Sequence, residues 1–392
     1  MKNIRILLWA PFGAGTHYWG PGTSAYRLYK NNQTKNIKVT LIHGSDYQEQ
    51  FPDVYEEQIQ LGHLDKKKPL NMFIYLIRSM IWITRNHRRY DVFHGLTAYF
   101  HTFLPALYFN KFKKPTFIKI TGLSGGFTNN GRISKWSGFT NLRKKKANKL
   151  SGYISVSTDI TNSLLSQGIC KKKIFYIPNG VDINRFFVTS NFEKIRLRQN
   201  KKIENIFTVC YIGGLTENKR VIETLKAIHE LSRKGYKLQF LIVGPDRSGG
   251  VIETEILEYI EAHNLEKKCI RIKHTSQPEL YFQLSDAFVL NSEFEGLSNA
   301  LLEAMSCGLP CIATPASGTV DLIKDGFTGF ITDGSPQKIA GKIELLYNDS
   351  ILYNKIAKNA REEIVEQFSV QHVWHQHVQL FKGNYSWFYS NT

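Results

Sequence analysis

The stretch SDAFVLNSEFEGLSNALLEAMSCGLPCIA, Ser285 to Ala313, holds one repeat of the architecture. Ala287–Leu290 is a short apolar run of strand length. Leu297–Ser306 then reads as a helix, closed by Gly308 in the position of a left-handed cap. Pro310–Ala313 returns to a strand. Strand, helix and strand in succession are the mark of a parallel α/β sheet.

The same alternation continues outward. Towards the N-terminus lie strands at Phe207–Ile212, Leu238–Val243 and Cys269–Ile272, separated by helices at Arg220–Lys234, Ile252–His263 and Leu280–Leu284. The charged stretch Asn191–Asn205 has few periodic apolar residues and reads as a linker. Before it, strands at Arg5–Ala10, Ile37–His43, Asp91–His94, Phe117–Thr121 and Gly152–Ser157 alternate with helices near Ser24–Asn31 and Leu70–Arg85. The expected organisation is a first Rossmann-like domain over residues 1–190, a linker over 191–205, and a second such domain over 206–368. A C-terminal helix over 369–392 packs back on the first domain. Ligands of such sheets sit beyond the carboxyl ends of the strands, and two of them face to face make a central cleft.

Composition narrows the function. The chain has 392 residues, and its net charge of +18 is unevenly placed. Residues 1–190 carry 28 Lys and Arg against 9 Asp and Glu, a net of +19, while residues 191–392 are close to neutral. No acidic residue occurs between Asn110 and Ser157. A half of this kind attracts an anionic partner. Leu70–Thr84, Trp136 and Phe139 lie near basic residues, which favours an anionic membrane surface over a merely solvated one. No helix-turn-helix, RNP or zinc-finger pattern points to nucleic acid. Neither a spanning helix nor a signal peptide is expected, and the five scattered cysteines read as reduced core thiols of a cytoplasmic protein.

Glu295 and Glu303 are eight residues apart, so a helix between them separates them by ~12 Å. Spacing alone leaves two readings open: acids at the two ends of an elongated ligand, or two solvent-facing glutamates. Backbone N–H groups near Gly296–Asn299 open the helix and favour a phosphate. In the first half, Gly20-Pro21-Gly22 precedes a helix, whereas Gly13-x-Gly15 does not continue as a dinucleotide fingerprint. His94 ends a strand begun by Asp91; His17 and His101 are further candidates.

These segments resemble the retaining, family-4-type (group 1) glycosyltransferases of the GT-B fold. Glu295 to Glu303 is similar to that family's E-x7-E region, and Ser155–Asp159 (SVSTD), Ile177–Asp182 (IPNGVD) and Tyr211–Leu215 (YIGGL) match it in order and spacing. So do Val243–Pro245, Ser285–Ser292, Cys307–Ala313 and Gly318–Gly329. The resemblance implies that Glu295 binds sugar hydroxyls, Glu303 binds the nucleotide ribose, and backbone at Gly296, Leu297 and Ser298 meets the diphosphate. Lys219 takes the place of the family's phosphate-binding lysine. Gly214, Gly244 and Arg220 join the donor site, and Gly20 and Gly22 form a phosphate or acceptor loop. The family usually has an arginine where this chain has Gly214, and Arg220 is the expected substitute. His94 corresponds either to a catalytic histidine or to a structural one two residues earlier.

The function expected from this resemblance is retaining, metal-independent transfer of a sugar from a UDP- or GDP-sugar to a glycan or lipid-linked acceptor, as in surface polysaccharide assembly. No cofactor is expected beyond the donor itself, and the enzyme would be cytoplasmic or peripheral on the inner membrane face. A GT-B nucleotide-sugar epimerase and a non-catalytic, membrane-associated sugar-nucleotide-binding protein are the alternatives.

Overall fold

The computed structural model describes residues 3–15, 20–31, 36–44, 49–64, 69–122, 143 and 145–390. His17, Trp136 and Phe139 lie outside them. The chain divides into two compact units, one of Met1–Gly180 with Val370–Thr392 and one of Val181–Ser369.

In the first unit the strands are β1 Ile4–Trp9, β2 Ile37–His43, β3 Glu57–Gln60, β4 Val92–Leu96, β5 Thr116–Ile120, β6 Gly152–Ser155 and β7 Ile174–Tyr176. They pair in the order β3-β2-β1-β4-β5-β6-β7, every pair parallel. In the second unit β8 Phe207–Ile212, β9 Leu238–Val243, β10 Cys269–Ile272, β11 Ala287–Leu290, β12 Cys311–Ala313 and β13 Phe330–Ile331 follow the order β10-β9-β8-β11-β12-β13, again parallel. Helices cover both faces of such sheets, so central strands are apolar along their whole length. β9 (LQFLIV) and β11 (AFVL) are buried at every residue. The helix Val221–Arg233 supplies part of that cover, burying Val221, Leu225, Ile228 and Leu231 at helical spacing.

Each sheet reverses its strand order once, between β1 and β4 and between β8 and β11. These are the switch points beyond whose carboxyl ends α/β sheets hold ligands.

Three expectations are corrected. Asn191–Asn200 is a helix of the second unit, capped by Ser190, whose hydroxyl accepts from the Glu193 amide at 3.2 Å. It lacks an apolar stripe because it is anchored by charge. Arg198 donates to Asp286 at 2.6 Å and to the Leu284 carbonyl at 2.8 Å, and Lys194 reaches Asp286 at 2.9 Å. The division between units falls at Gly180 and Val181 rather than after residue 190, because Val181 donates to the Phe368 carbonyl at 2.9 Å. Cys170 is exposed, while the other four cysteines are buried.

The C-terminal helix Val370–Phe381 is part of the first unit, with Trp374 edge-on to Tyr29. Among the described residues no helix is long and apolar enough to cross a membrane.

Candidate active site

The loops leaving β8 and β11 meet at the switch point of the second unit. After β8 the chain turns through Gly213 and Gly214 into a single 3-10 turn, Glu217–Lys219. After β11 it runs through Asn291–Leu297 into the helix Asn299–Ser306. Ser298 caps that helix, its hydroxyl accepting from the Leu301 amide at 3.3 Å. Side-chain oxygens of this kind satisfy donors that the first helical turn leaves over. Backbone stitches the loops together: the Glu293 amide donates to the Asn218 carbonyl at 2.9 Å, and Asn218 Nδ2 to the Phe294 carbonyl at 3.4 Å.

The consequence is an ion pair. Lys219 Nζ donates to Glu295 Oε1, with both side chains mostly withdrawn from solvent. The two residues come from sequence positions 76 apart. The resemblance gives them separate duties, one to the phosphate and one to the sugar; the fold holds them as a single unit.

Tyr211, the fifth residue of β8, donates from its hydroxyl to the Gly214 carbonyl at 2.9 Å. Burial pushes its phenol up; the Glu295 carboxylate adds to this, while Arg247 and Arg271 oppose it. One neutral hydroxyl therefore lies within the field of both an acid and two guanidinium groups. Gly244 directly follows β9 at φ +130°, and a Cβ there would lie 2.0 Å from the Gly213 carbonyl oxygen. Only glycine allows the two strand-end loops to approach this closely.

Glu303 is buried in the second turn of the helix that Ser298 caps. Leu297 and Ser298 are also buried, and Gly296 accepts from the Gly318 amide at 3.0 Å. The four-residue segment Glu295–Ser298 is thus clamped from both sides. Arg220 has a left-handed backbone, and its guanidinium is directed at the Gly334 carbonyl, 3.5 Å away. Arg247, which the sequence reading did not single out, is the arginine that crosses Gly214.

The first unit bears on two expectations. His94 is fully buried in β4, its Nδ1 2.6 Å from the Tyr29 hydroxyl. Its ring packs on His377 and Phe381 of the C-terminal helix. Burial holds it well below the usual histidine value, helped by His377 and Lys119. These are the surroundings of a core histidine, and they count against the catalytic role expected for His94. His101 is also buried, against Phe12 and Tyr99. Gly20 and Gly22 are not in a loop: they form the first turn of the helix Gly20–Lys30.

Comparison with known proteins fits this frame. Residues 19–185 match the model "Glycosyltransferase Family 4", and residues 193–363 match "Glycosyl transferases group 1". A capsular polysaccharide biosynthesis glycosyltransferase of Staphylococcus aureus, CapM, is 28% identical over 235 residues, 58% of this chain and 60% of the relative. The Escherichia coli UDP-Gal:alpha-D-GlcNAc-diphosphoundecaprenol alpha-1,3-galactosyltransferase is 29% identical over 201 residues, 50% of this chain and 51% of the relative. The match therefore spans about half to three-fifths of these relatives' length. Among solved structures, Anabaena Alr3699/HepE in complex with UDP and glucose superposes with a TM-score of 0.78 at 19% identity, over 97% of this chain and all of the other. Two parallel sheets in one chain, the loops at the second switch point and the two adjoining family matches place this chain among the group 1, family-4-type glycosyltransferases of the GT-B fold.

Proposed function

We propose that the chain transfers a sugar from a nucleoside-diphosphate sugar to a glycan or lipid-linked acceptor in surface polysaccharide assembly, with retention at the anomeric carbon. The observation that carries this is the Lys219–Glu295 pair at the head of a capped helix, at a sheet's switch point. In this reading the diphosphate lies at Gly296–Ser298, beside Gly214 and Gly244. The amides of the first helical turn and Lys219 meet the negative charge that grows as the glycosidic bond breaks. Glu295, aligned by Lys219, takes sugar hydroxyls, and Glu303 takes the ribose. Gly20 and Gly22 open the helix on the acceptor side.

The family resemblance implies same-face attack, with the leaving phosphate accepting the acceptor's proton. The protein's contribution is then position and field. No Asp-x-Asp motif occurs in the sequence, which supports transfer without a metal. Turnover is expected to persist in chelator; loss reversed by manganese would contradict this.

Relatives named for capsular polysaccharide and for a diphosphoundecaprenol-linked sugar support a lipid-linked acceptor. The helix Pro69–Asn86 supports it independently. Leu70, Phe73, Ile74, Ile77 and Ile81 form an exposed apolar row, Arg78, Arg85 and Arg88 are exposed beside it, and no acid occurs between Pro69 and Tyr90. Such a face suits an anionic bilayer surface.

The test is nucleoside diphosphate release from UDP- and GDP-sugars, with and without lipid-linked oligosaccharide. Release that requires the acceptor supports the transferase. Release or epimer without acceptor points to the epimerase, and binding without turnover to a non-catalytic protein.

A further inference from the structure

We infer that Arg247 is the second cation for the donor's diphosphate, brought across Gly214 from the loop after β9; the inference rests on the donor-site reading above. Three observations lead to it.

The first is position. A Cβ built on Gly214 would lie 2.9 Å from Arg247 Cδ and 3.0 Å from its Nε. The arginine stem therefore runs directly over the glycine, in the space a side chain at 214 would fill. Backbone holds it there. The Leu215 amide donates to the Pro245 carbonyl at 2.9 Å, and the Arg247 amide donates to the Leu215 carbonyl at 2.9 Å. The loops after β8 and β9 are thus zipped into one surface next to Lys219.

The second is charge balance. Lys219 is already committed to Glu295, so that pair is neutral overall. A diphosphate brings at least two negative charges and gains more as it leaves. One neutralised lysine and the amides of a helix terminus leave that charge under-compensated, and a second cation is needed.

The third is that this guanidinium is not spent elsewhere. Arg247 is exposed, and among the described residues it makes no ion pair. Its neighbour Asp246 is turned into its own loop, accepting from the Ser248 hydroxyl at 2.6 Å and from the Ser248 and Gly250 amides. Glu253 is taken by Arg271 at 3.3 Å and Lys273 at 3.6 Å. Arg220, by contrast, is turned to the Gly334 carbonyl. Arg247 and Glu295 both act on the Tyr211 hydroxyl, which ties the arginine to the same site. A planar fork of donors is well matched to phosphate oxygens.

Calorimetric titration of UDP and GDP, with uridine and guanosine as controls, tests the assignment on the full chain. R247Q keeps the stem and removes the charge; R247K keeps the charge and removes the fork. R247Q is expected to weaken the bound diphosphate at least about tenfold, the scale of a charged hydrogen bond, and to leave the nucleoside unchanged. R247K is expected to fall between R247Q and the parent protein. Diphosphate affinity within twofold of the parent in R247Q would overturn the inference. So would equal losses for diphosphate and nucleoside, which would mark a packing role. A parent protein that binds neither diphosphate would instead sink the donor-site reading.

Discussion

The two sheets turn at the same kind of switch point, yet they use their strand ends in opposite ways. In the second unit, Lys219, Glu295 and Arg247 stay in loops at the surface of the sheet end, as charged groups. In the first unit, His94 and Lys119 are buried, His94 packing under the helix Val370–Phe381 beside the buried His377 of that helix. Burial lowers Lys119 to about 7 and His377 to about 3. One topology thus yields a charged rim and a sealed polar core. Whether another helix covers the strand end decides between them, more than residue type does.

The largest expected effect sits at the rim. Lys219→Ala should lower kcat by about 10²- to 10³-fold, the scale for losing one preorganised donor to developing charge. Thermal denaturation should also shift, by about 1–3 kcal/mol, because the substitution leaves the largely buried Glu295 carboxylate unpaired. A variant that keeps its turnover would break the comparison, since the rim would then be no more functional than the core.

His94→Ala should show the converse. Removing a buried ring and its contact with Tyr29 should cost about 2–4 kcal/mol of stability in the first unit, read by denaturant unfolding. The folded fraction should keep its kcat. Loss of kcat without loss of stability would place His94 in the catalytic set.

The smallest effect is a slope with pH. With Lys119 near 7 in the folded chain and an ordinary value near 10.4 unfolded, the unfolded state holds more protons between these limits. Stability therefore rises with pH in that window, by at most ~1.4 kcal/mol per unit. His94 and His377 act in the same direction below about 6.5, where only the unfolded chain takes up protons. Between pH 7 and 9, Lys119→Met should flatten the rise for the first unit, measured by hydrogen exchange at β5 amides. An unchanged slope would show that Lys119 is not the group responsible.

The alternation of apolar runs and helical periods was enough to read two parallel α/β domains, because central strands such as β9 and β11 are buried on both faces. β3, β7 and β13 escaped the sequence reading. They are short edge strands, and β3 (EQIQ) carries no apolar run. The helix Asn191–Asn200 read as a linker because charge pairs with Asp286, not an apolar stripe, fix it in place. At the site, Glu295, Glu303 and Lys219 were legible through their surrounding motifs, but spacing could not show that Lys219 and Glu295 are partners. Arg247 was invisible for a different reason: its position depends on backbone bonds between two loops and on an absent side chain at Gly214. His94 stayed ambiguous because burial under a helix from the far end of the chain is a tertiary property.

The central claim is that the donor binds at the second unit's switch point. Hydrogen exchange of the full chain with and without saturating UDP or GDP tests it without knowledge of the acceptor. Slowed exchange at Gly213–Arg220 and Phe294–Leu301 is the predicted result. Saturated binding that leaves both loops unchanged would contradict it.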